Sequence, residues 1–249
     1  MKFFAILTLL FVSSLAFCQT SHIEENWWRD YEGKLGREEI KISFYAFKDG
    51  QLKGNYCIKN KEIKIHLIGR FNKDIVELVE LSNGIPYRYF RGRVFSDGRD
   101  RLEGIWSDST KSNPLSLKTT MSSMVYSDSF YQRYSGLHGT DEDVENFMRH
   151  VKTSILNGDK KWIANHVTYP VWVSLNKTKR VKIVTKNQMI ENFNKIFSQE
   201  YKNKILPLCV CNMFTKNSSV MLGNGEIWIS NKSTSTQSNF EFTIDSIGN

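Results

Sequence analysis

Apolar and polar side chains alternate with a period of two through most of residues 31–117. Ile40, Ile42 and Phe44, for example, are separated by Lys41 and Ser43. Successive side chains of a β-strand point to opposite faces, so this period predicts strands with one buried face. Short turn-forming pairs separate the predicted strands: Asp49-Gly50, Asn83-Gly84 and Asp97-Gly98. Turns at such short intervals predict an antiparallel meander.

Six or seven short strands in one meander leave two sheet edges with unpaired backbone groups. Closing the sheet removes both edges, so we expect a small barrel that is closed or nearly closed. Four glycines lie inside the predicted strands: Gly54, Gly69, Gly92 and Gly104. We expect them to mark sharp bends or bulges of a tightly curved sheet.

Short motifs recur in this region: Tyr31-Glu32-Gly33, Gly54-Asn55-Tyr56, Leu67-Ile68-Gly69, Phe90-Arg91-Gly92 and Gly104-Ile105-Trp106. Through these motifs the region resembles small eight-stranded barrel modules of exported bacterial proteins whose role is unknown. The resemblance implies a barrel with a solvated or ligand-sized mouth, and it assigns no binding residue.

Serine and tyrosine become frequent in residues 118–140. The serines of this stretch include Ser122, Ser123, Ser127, Ser129 and Ser135. Such a composition is typical of a linker between domains. We therefore predict a barrel domain over residues 19–117, a connector over residues 118–140 and a second domain over residues 141–249.

The apolar period changes to three and four residues at the start of the second domain. Val144, Val151 and Ile155 belong to one apolar stripe, which predicts an amphipathic helix. The acidic residues 141–143 fall in its first turn, where they interact favourably with the helix dipole. Gly158 follows as the predicted C-terminal stop of this helix.

Shorter elements are predicted after this helix. A short helix around Trp162 precedes a strand through residues 169–173, and the capping-box pair Thr185 and Gln188 begins a second long helix. Three strands are predicted to end the chain, over residues 206–214, 220–230 and 240–247, with a turn at Gly223-Asn224-Gly225 inside the second. Helices followed by antiparallel strands indicate an α+β fold.

The second domain also carries longer motifs. They are residues 147–156 followed by Asn157-Gly158-Asp159, the segment Tyr169-Pro170-Val171, the helix over residues 189–197 and the segment 221–229. Through them residues 141–249 resemble the nuclear transport factor 2-like superfamily, exported bacterial members in particular. The resemblance implies a cone of curved sheet wrapped by helices, and a dimer through the C-terminal sheet is one arrangement it allows. Some members use the pocket of the cone for acid–base catalysis and others use it for binding, so the resemblance leaves the use of the pocket open.

The first 18 residues have the layout of a secretory signal peptide. Lys2 precedes an apolar run over residues 3–12, which is shorter than the roughly 20 residues of a membrane span. Ala16 and Cys18 are small residues placed before a cleavage that leaves Gln19 as the new N-terminus. We therefore expect an exported protein, periplasmic or secreted, with no transmembrane span in the mature chain. The alternative is a bacterial lipoprotein anchored through Cys18.

Composition and cysteine count limit the possible classes further. The 249 residues are 40% hydrophobic and 24% charged, which excludes a wholly disordered chain and a multi-span membrane protein. Cleavage after Cys18 leaves three cysteines, Cys57, Cys209 and Cys211, of which the last two are expected on one face of the predicted strand 206–214. Either one of these two pairs with Cys57 or all three are buried thiols. Their spacing matches no paired zinc motif, and we expect no metal and no cofactor.

The second domain offers few side chains that suit catalysis. The candidate pocket consists of His166, Tyr169, Trp172, Trp228 and Asp245. An acid–base enzyme needs such groups to converge on one cavity. The sequence contains no nucleophile elbow, phosphate loop or dinucleotide motif, so we assign no catalytic residue.

Positive charge exceeds negative charge, with 34 Lys and Arg against 26 Asp and Glu. The candidate basic patch consists of Arg88, Arg91, Arg93, Lys177, Lys179 and Arg180. An excess of positive charge favours an acidic partner, such as an envelope polysaccharide, a lipid headgroup or an acidic protein. Nucleic acid is not an expected partner of an exported protein.

These patterns predict an exported, non-catalytic, two-domain protein that binds a ligand or a protein partner in the cell envelope. One specific form of this hypothesis is an envelope inhibitor or immunity protein that neutralises a toxin. The alternative is a hydrolase, isomerase or cyclase that uses the pocket of the second domain. Ionisable groups that converge in a deep cone would favour the enzyme, whereas an apolar filling of the cone would favour surface binding.

Overall fold

The computed structural model describes residues 23–59, 61–175, 179–234, 236 and 238–248. The predicted signal peptide over residues 1–18 and Lys177 of the predicted basic patch lie outside the described residues. Eight antiparallel strands form a closed barrel, in which each strand pairs with its sequence neighbours and the first pairs with the last. They are β1 (Trp27–Leu35), β2 (Glu38–Ala46), β3 (Gln51–Ile58), β4 (Ile63–Asn72), β5 (Ile75–Ser82), β6 (Ile85–Phe95), β7 (Arg101–Asp108) and β8 (Leu115–Tyr126).

The predicted antiparallel barrel is confirmed, but its last strand extends into the segment predicted as a connector. β8 pairs with β1 and β7, so residues 118–126 belong to the barrel. Thr119 and Val125 of this strand are buried. The backbone hydrogen bonds that close the barrel do not depend on apolar side chains. A serine-rich strand therefore completes the sheet although its composition is that of a linker.

Aromatic side chains fill the interior of the barrel. Tyr31 stacks on Phe44 with ring centroids 5.6 Å apart. Trp106 packs against Tyr56 at 5.3 Å and against Phe90 at 5.4 Å. All five side chains are buried, as the alternation of apolar and polar positions predicts for inward-facing residues.

Within its described residues, the second half of the chain packs four helices against two antiparallel sheets. The helices are α1 (Asp141–Asn157), α2 (Lys160–Asn165), α3 (Lys186–Ile196) and α4 (Gln199–Ile205). The strands are β9 (Val171–Leu175), β10 (Lys179–Ile183), β11 (Phe214–Lys216), β12 (Ser219–Leu222), β13 (Ile227–Asn231) and β14 (Phe242–Ile247). β9 pairs with β10, and the last four strands form a sheet in sequence order. In the part of the chain that the structure describes, no helix combines the length and the apolar character that crossing a membrane requires.

The two long helices begin and end close to the predicted positions. The Thr140 and Asp143 side chains form a reciprocal capping box at the start of α1, and Gly158 ends this helix with φ of 79°. Thr185 caps α3 by accepting a hydrogen bond from the Gln188 amide. The Gln188 side chain accepts from the amide of Val184, not of Thr185, so only half of the predicted capping box is present.

The predicted strand over residues 206–214 is wrong. Helix α4 occupies the preceding residues and is capped by Ser198, whose hydroxyl accepts from the Tyr201 amide. A loop over residues 206–213 then leads to β11, which begins at Phe214. The loop is held by residues distant in sequence: Lys152 donates to the Leu208 carbonyl and Glu145 accepts from the Asn212 amide. Cys209 and Cys211 therefore lie on a loop and not on one face of a strand.

The two halves have separate apolar cores. One cluster of buried side chains lies inside the barrel, with members from Ile23 to Leu117. Another extends from Tyr134 to Ile247 and combines the inner faces of the four helices with those of the C-terminal sheets. The three sheets do not share a strand. The change of apolar period along the chain thus coincides with a change from one core to another.

A buried ion pair joins the two halves. The Arg133 Nη2 lies 2.6 Å from Asp30 Oδ2, and each side chain is at most 2% exposed. The same guanidinium donates to the Ser43 hydroxyl and to the Asn212 carbonyl. Burial by itself would raise the pKa of Asp30, but the positive charges of Arg133 and Lys41 and the hydrogen bonds hold this pKa below its ordinary value. The contact is therefore one between charged groups.

Glu145 of α1 makes a second polar junction between the halves. Its carboxylate lies 2.6 Å from the ammonium of Lys64 on β4 and accepts a hydrogen bond from the Tyr134 hydroxyl at 3.0 Å. Nearby, the Asn212 side chain donates to the Asn55 side chain of β3 at 2.6 Å. A disulfide between Cys57 and Cys211 adds a covalent link. Of the alternatives left open by the sequence, Cys211 is therefore the partner of Cys57, and Cys209 is a free thiol.

Candidate functional site

His166 of the predicted pocket is packed against neighbouring aromatic rings. It lies at the C-terminal end of α2, where its ring stacks on that of Trp162 at 3.9 Å. Its Nδ1 lies 2.7 Å from the Trp162 carbonyl oxygen. His150 stacks on the same indole at 4.1 Å. The three rings form a surface stack in which one nitrogen of His166 is already engaged.

Tyr169 and Trp228 also have contacts of a structural kind. The Tyr169 hydroxyl donates to the Ala164 carbonyl at 2.9 Å. Burial raises the pKa of Tyr169 to about 12, so the phenol is protonated at neutral pH. Trp228 on β13 is half-buried and meets the edge of the Phe214 ring at 6.4 Å. Each of the two side chains thus has a hydrogen-bonding or packing partner within the second half.

Trp172 and Asp245 are the two predicted pocket residues that the structure brings together. Both line a cavity of about 460 Å³ between β9 and β14, and Arg180 of the predicted basic patch lines it as well. The Arg180 guanidinium lies over the Trp172 ring, 5.4 Å from its centroid. Asp245 accepts a hydrogen bond from the Thr168 hydroxyl at 3.0 Å. The cavity thus combines an exposed aromatic face with one positive and one negative group.

The interior of the second half is filled by apolar side chains. Met189, Phe193 and Phe197 from the α3 region meet Ile227 and Ile229 of β13 in one buried cluster. None of the five predicted pocket residues is among the fully buried members of this cluster, although Tyr169 packs against its edge. The described residues therefore do not place those five groups together in a deep interior pocket.

The predicted basic patch divides between the two halves, and much of its charge is paired. On β6, Arg91 lies 3.5 Å from the Glu77 carboxylate and Arg93 lies 2.9 Å from that of Asp74. Arg88 lies over the Tyr87 ring at 5.2 Å. On β10, Lys179 is exposed next to Arg180, which stacks on Trp172. The carboxylates beside Arg91 and Arg93 reduce the positive potential that the sequence suggested for β6.

A groove of about 1210 Å³ crosses the outer wall of the barrel over strands β3 to β7. The strand register aligns Lys53, Ile68, Val79, Tyr89 and Ser107 in one row across these five strands. Ile105 lies on the same face of β7 in the next row, where it is opposite Arg91. Ile68, Tyr89 and Ile105 are 40%, 42% and 51% exposed. We call Ile68, Val79, Tyr89 and Ile105 the barrel-wall patch.

The groove around the barrel-wall patch carries an excess of positive charge. Its charged lining residues are Lys53, Arg70, Arg91 and Lys111, with Asp49 and Glu77 of opposite sign. The ammonium of Lys53 lies over the Phe47 ring at 5.6 Å, and Arg91 is paired with Glu77. The apolar centre is thus surrounded by charged side chains that are mostly cationic.

Two facing glycines shape the wall behind this groove. Gly92 and Gly104 are opposite each other on β6 and β7. A Cβ added to Gly104 would lie 2.5 Å from the Gly92 Cα and 2.4 Å from the Arg91 carbonyl oxygen. The Phe90 ring also approaches both positions, at 2.3 Å from a Cβ on Gly92 and 2.7 Å from one on Gly104. The predicted role of these glycines in a tightly curved sheet agrees with this close approach, because any side chain would push the two strands apart.

Sequence reasoning missed the barrel-wall patch. Its members are separated in the chain, and each one alone looks like an ordinary apolar residue of a strand. A signal exists on β4 and β5, where Ile68 follows the inward-facing Leu67 and Val79 follows the inward-facing Leu78. Outward positions of a strand with one solvated face are normally polar. Apolar residues at both the inward and the outward positions therefore indicate that the outer face is covered or binds a partner.

Comparisons of the chain with protein-family models, with curated proteins and with solved structures gave no match.

Proposed function

We propose that this protein is an exported, non-catalytic binding protein whose barrel-wall patch takes a protein partner. The observation that carries the proposal is the exposure of Ile68, Tyr89 and Ile105 on one face of strands β4, β6 and β7, with Val79 of β5 between the first two. Contiguous apolar side chains on a surface cost free energy in water and commonly mark interaction sites. Tyrosine and arginine are also enriched at the centres of protein interfaces, and Tyr89 and Arg91 lie side by side on this face.

The groove also supports a partner of particular chemistry. With about 1210 Å³ it exceeds the roughly 300–1,000 Å³ of most small-molecule sites, which favours a macromolecule. Arg70 and Lys111 extend its positive rim. The complementary surface would insert apolar side chains between Ile68 and Ile105 and surround them with carboxylates.

The proposal includes two expectations from the sequence. Residues 1–18 direct export, which places the binding surface in the periplasm or outside the cell. Residues 141–249 adopt the cone of the nuclear transport factor 2-like superfamily, and helices packed on antiparallel sheet around one apolar core are compatible with that shape. The apolar filling of this core favours surface binding over the enzyme alternative.

Site-specific photo-crosslinking tests the binding proposal. A photoreactive residue at position 105 of the full chain should capture one partner from envelope extract, and binding of that purified partner is then measured. Tyr89→Ala and Ile105→Asp should each weaken the affinity at least about tenfold, because central interface side chains dominate binding free energy. Higher salt should slow association, because the rim is cationic.

Trp172→Ala is the matched control, since it removes an exposed aromatic side chain from the other half. It should leave the affinity within about twofold of the unmodified protein. If Trp172→Ala weakens binding as much as Tyr89→Ala, or if both barrel variants bind normally, the barrel-wall patch is not the site. Export is tested separately by N-terminal sequencing of the protein from the periplasm or medium, which should begin at Gln19.

A further inference from the structure

Three cysteine sulfurs from distant parts of the chain gather where the two halves meet. Cys57 lies on β3, whereas Cys209 and Cys211 lie on the loop over residues 206–213. Cys57 and Cys211 form the disulfide, and Cys209 is a free thiol. The three Sγ atoms all lie within 4.8 Å of one another. A free thiol is therefore in near contact with a disulfide.

Cys209 is the accessible member of this group. It is half-buried and lines a cavity of about 440 Å³ between the halves, together with Lys41 and Lys59 of the barrel. Cys57 and Cys211 are both completely buried. Solvent thiols and oxidants that enter the cavity meet Cys209 before they meet the disulfide.

We propose that these cysteines form an internal thiol–disulfide exchange site in which Cys209 is the attacking thiol. The Cys209 thiolate attacks the Cys57 sulfur, a Cys57–Cys209 bond forms, and the Cys57–Cys211 bond breaks. Cys211 leaves as a thiolate and takes up the proton that Cys209 lost. The reaction exchanges one disulfide for another, so it needs no external oxidant or reductant.

Attack on Cys57 is favoured over attack on Cys211 by geometry. A bridge between Cys209 and Cys211 would join residues two apart in the chain, whose Cβ atoms are poorly placed for the geometry of a disulfide. A bridge between Cys209 and Cys57 keeps the covalent link between the barrel and the loop. The loop thus offers Cys57 two interchangeable partners, one accessible and one buried.

The surroundings of Cys209 determine the pH dependence of the exchange. Burial raises the pKa of this thiol, Glu62 and Glu145 raise it further, and the Cys211 amide and Lys41 oppose them. Glu32 and Lys59 also line the cavity. Since the thiolate is the nucleophile, the exchange rate should rise about tenfold per pH unit below this pKa.

The decisive variant is Cys211→Ser in the full chain. Trypsin releases Cys57 in the peptide 54–59 and both loop cysteines in the peptide 205–216. After air oxidation and capture of free thiols with N-ethylmaleimide, this variant should show the two peptides joined through Cys57–Cys209. The matched control Cys209→Ser should show them joined through Cys57–Cys211, with no thiol left to label in either peptide.

The unmodified protein provides a second measurement that does not depend on a variant folding. Incubation at pH 7, 8 and 9, followed by acid quenching and labelling, should move label from Cys209 to Cys211, faster at higher pH. Fragment ions between the two cysteines locate the label. If Cys57 and Cys209 stay separate thiols in folded Cys211→Ser protein, the proposal fails. It also fails if the purified protein holds a stoichiometric metal ion on three reduced cysteines.

Discussion

The guanidinium of Arg133 is buried where the barrel meets the second half of the chain, and the Asp30 carboxylate balances its charge. It also lies over the Trp28 ring at 5.3 Å and donates to the Met213 carbonyl at 3.2 Å. A buried charge that loses its partner retains the full cost of desolvation. The stability of the protein therefore depends on such a pair most strongly when one member is removed and the other stays buried.

We expect Asp30→Asn to lower the free energy of unfolding by about 3–5 kcal/mol, because the Arg133 charge then remains buried without a counterion. Urea unfolding of both proteins measures the difference. Asp74→Asn removes the carboxylate partner of the exposed Arg93 and should cost less than about 1 kcal/mol. Equal losses in the two variants would contradict the importance of the buried pair.

The same carboxylate should make stability depend on pH in acid. The pKa of Asp30 is lower in the folded protein than its ordinary value of 3.8. Its contribution is therefore fully present above about pH 4 and is lost as the pH falls through the folded pKa. The difference in unfolding free energy between unmodified protein and Asp30→Asn should shrink between pH 4 and pH 2. A constant difference over this range would show that Asp30 has no such role.

At the scale of elements, the sequence predicted the elements that are stabilised by interactions within one segment of the chain. The apolar stripe of α1 and its end at Gly158 were predicted, because periodicity and a left-handed cap are properties of one segment. β8 was not recognised as strand, because its pairing with β1 connects residues about 90 positions apart and leaves little trace in composition. The loop over residues 206–213 was predicted as a strand, because its hydrogen bonds to Lys152 and Glu145 come from elsewhere in the chain.

The curvature of the barrel wall depends on Gly104, and this leads to a prediction for β7. Gly104→Ala should lower the free energy of unfolding by about 1–3 kcal/mol, because the new methyl group would overlap the Gly92 Cα and the Arg91 carbonyl. Ser116→Ala, at an exposed position of the neighbouring β8, should change stability by less than about 0.5 kcal/mol. Thermal unfolding followed by circular dichroism compares the two variants. A Gly104→Ala protein as stable as the Ser116→Ala protein would show that the strands can separate at no cost.

At the scale of the whole molecule, the candidate sites depend on contacts that no single segment encodes. The sequence placed Trp172 and Asp245 in one candidate pocket, and the structure brings them together beside Arg180. It grouped them with His166, whose ring is stacked on Trp162, because residue type alone does not show which way a side chain points. The four members of the barrel-wall patch come together only through the register of four strands. The alternation of apolar and polar positions does not determine that register.

Separate cores need not unfold separately, because the junction between them is buried and covalently linked. The Cys57–Cys211 bridge spans a sequence separation of 154 residues, and in the chain-entropy view such a link stabilises the folded state by about 5 kcal/mol. Arg133 and Glu145 add contacts to Asp30 and Lys64 of the barrel, which exist only when both halves are folded. We therefore expect barrel peptides and helix peptides to lose protection at the same urea concentration in pulsed hydrogen exchange.

Reduction of the disulfide combined with Arg133→Met should separate the two transitions, because the covalent link and the buried Arg133–Asp30 ion pair between the two cores are then both removed. Peptides from β1 to β8 and peptides from α1 to α4 report on the two halves in the same experiment. Reduction with Arg93→Met is the control, since Arg93 pairs with Asp74 within the barrel. Two transitions in the oxidised, unmodified protein would show that the junction does not couple the halves.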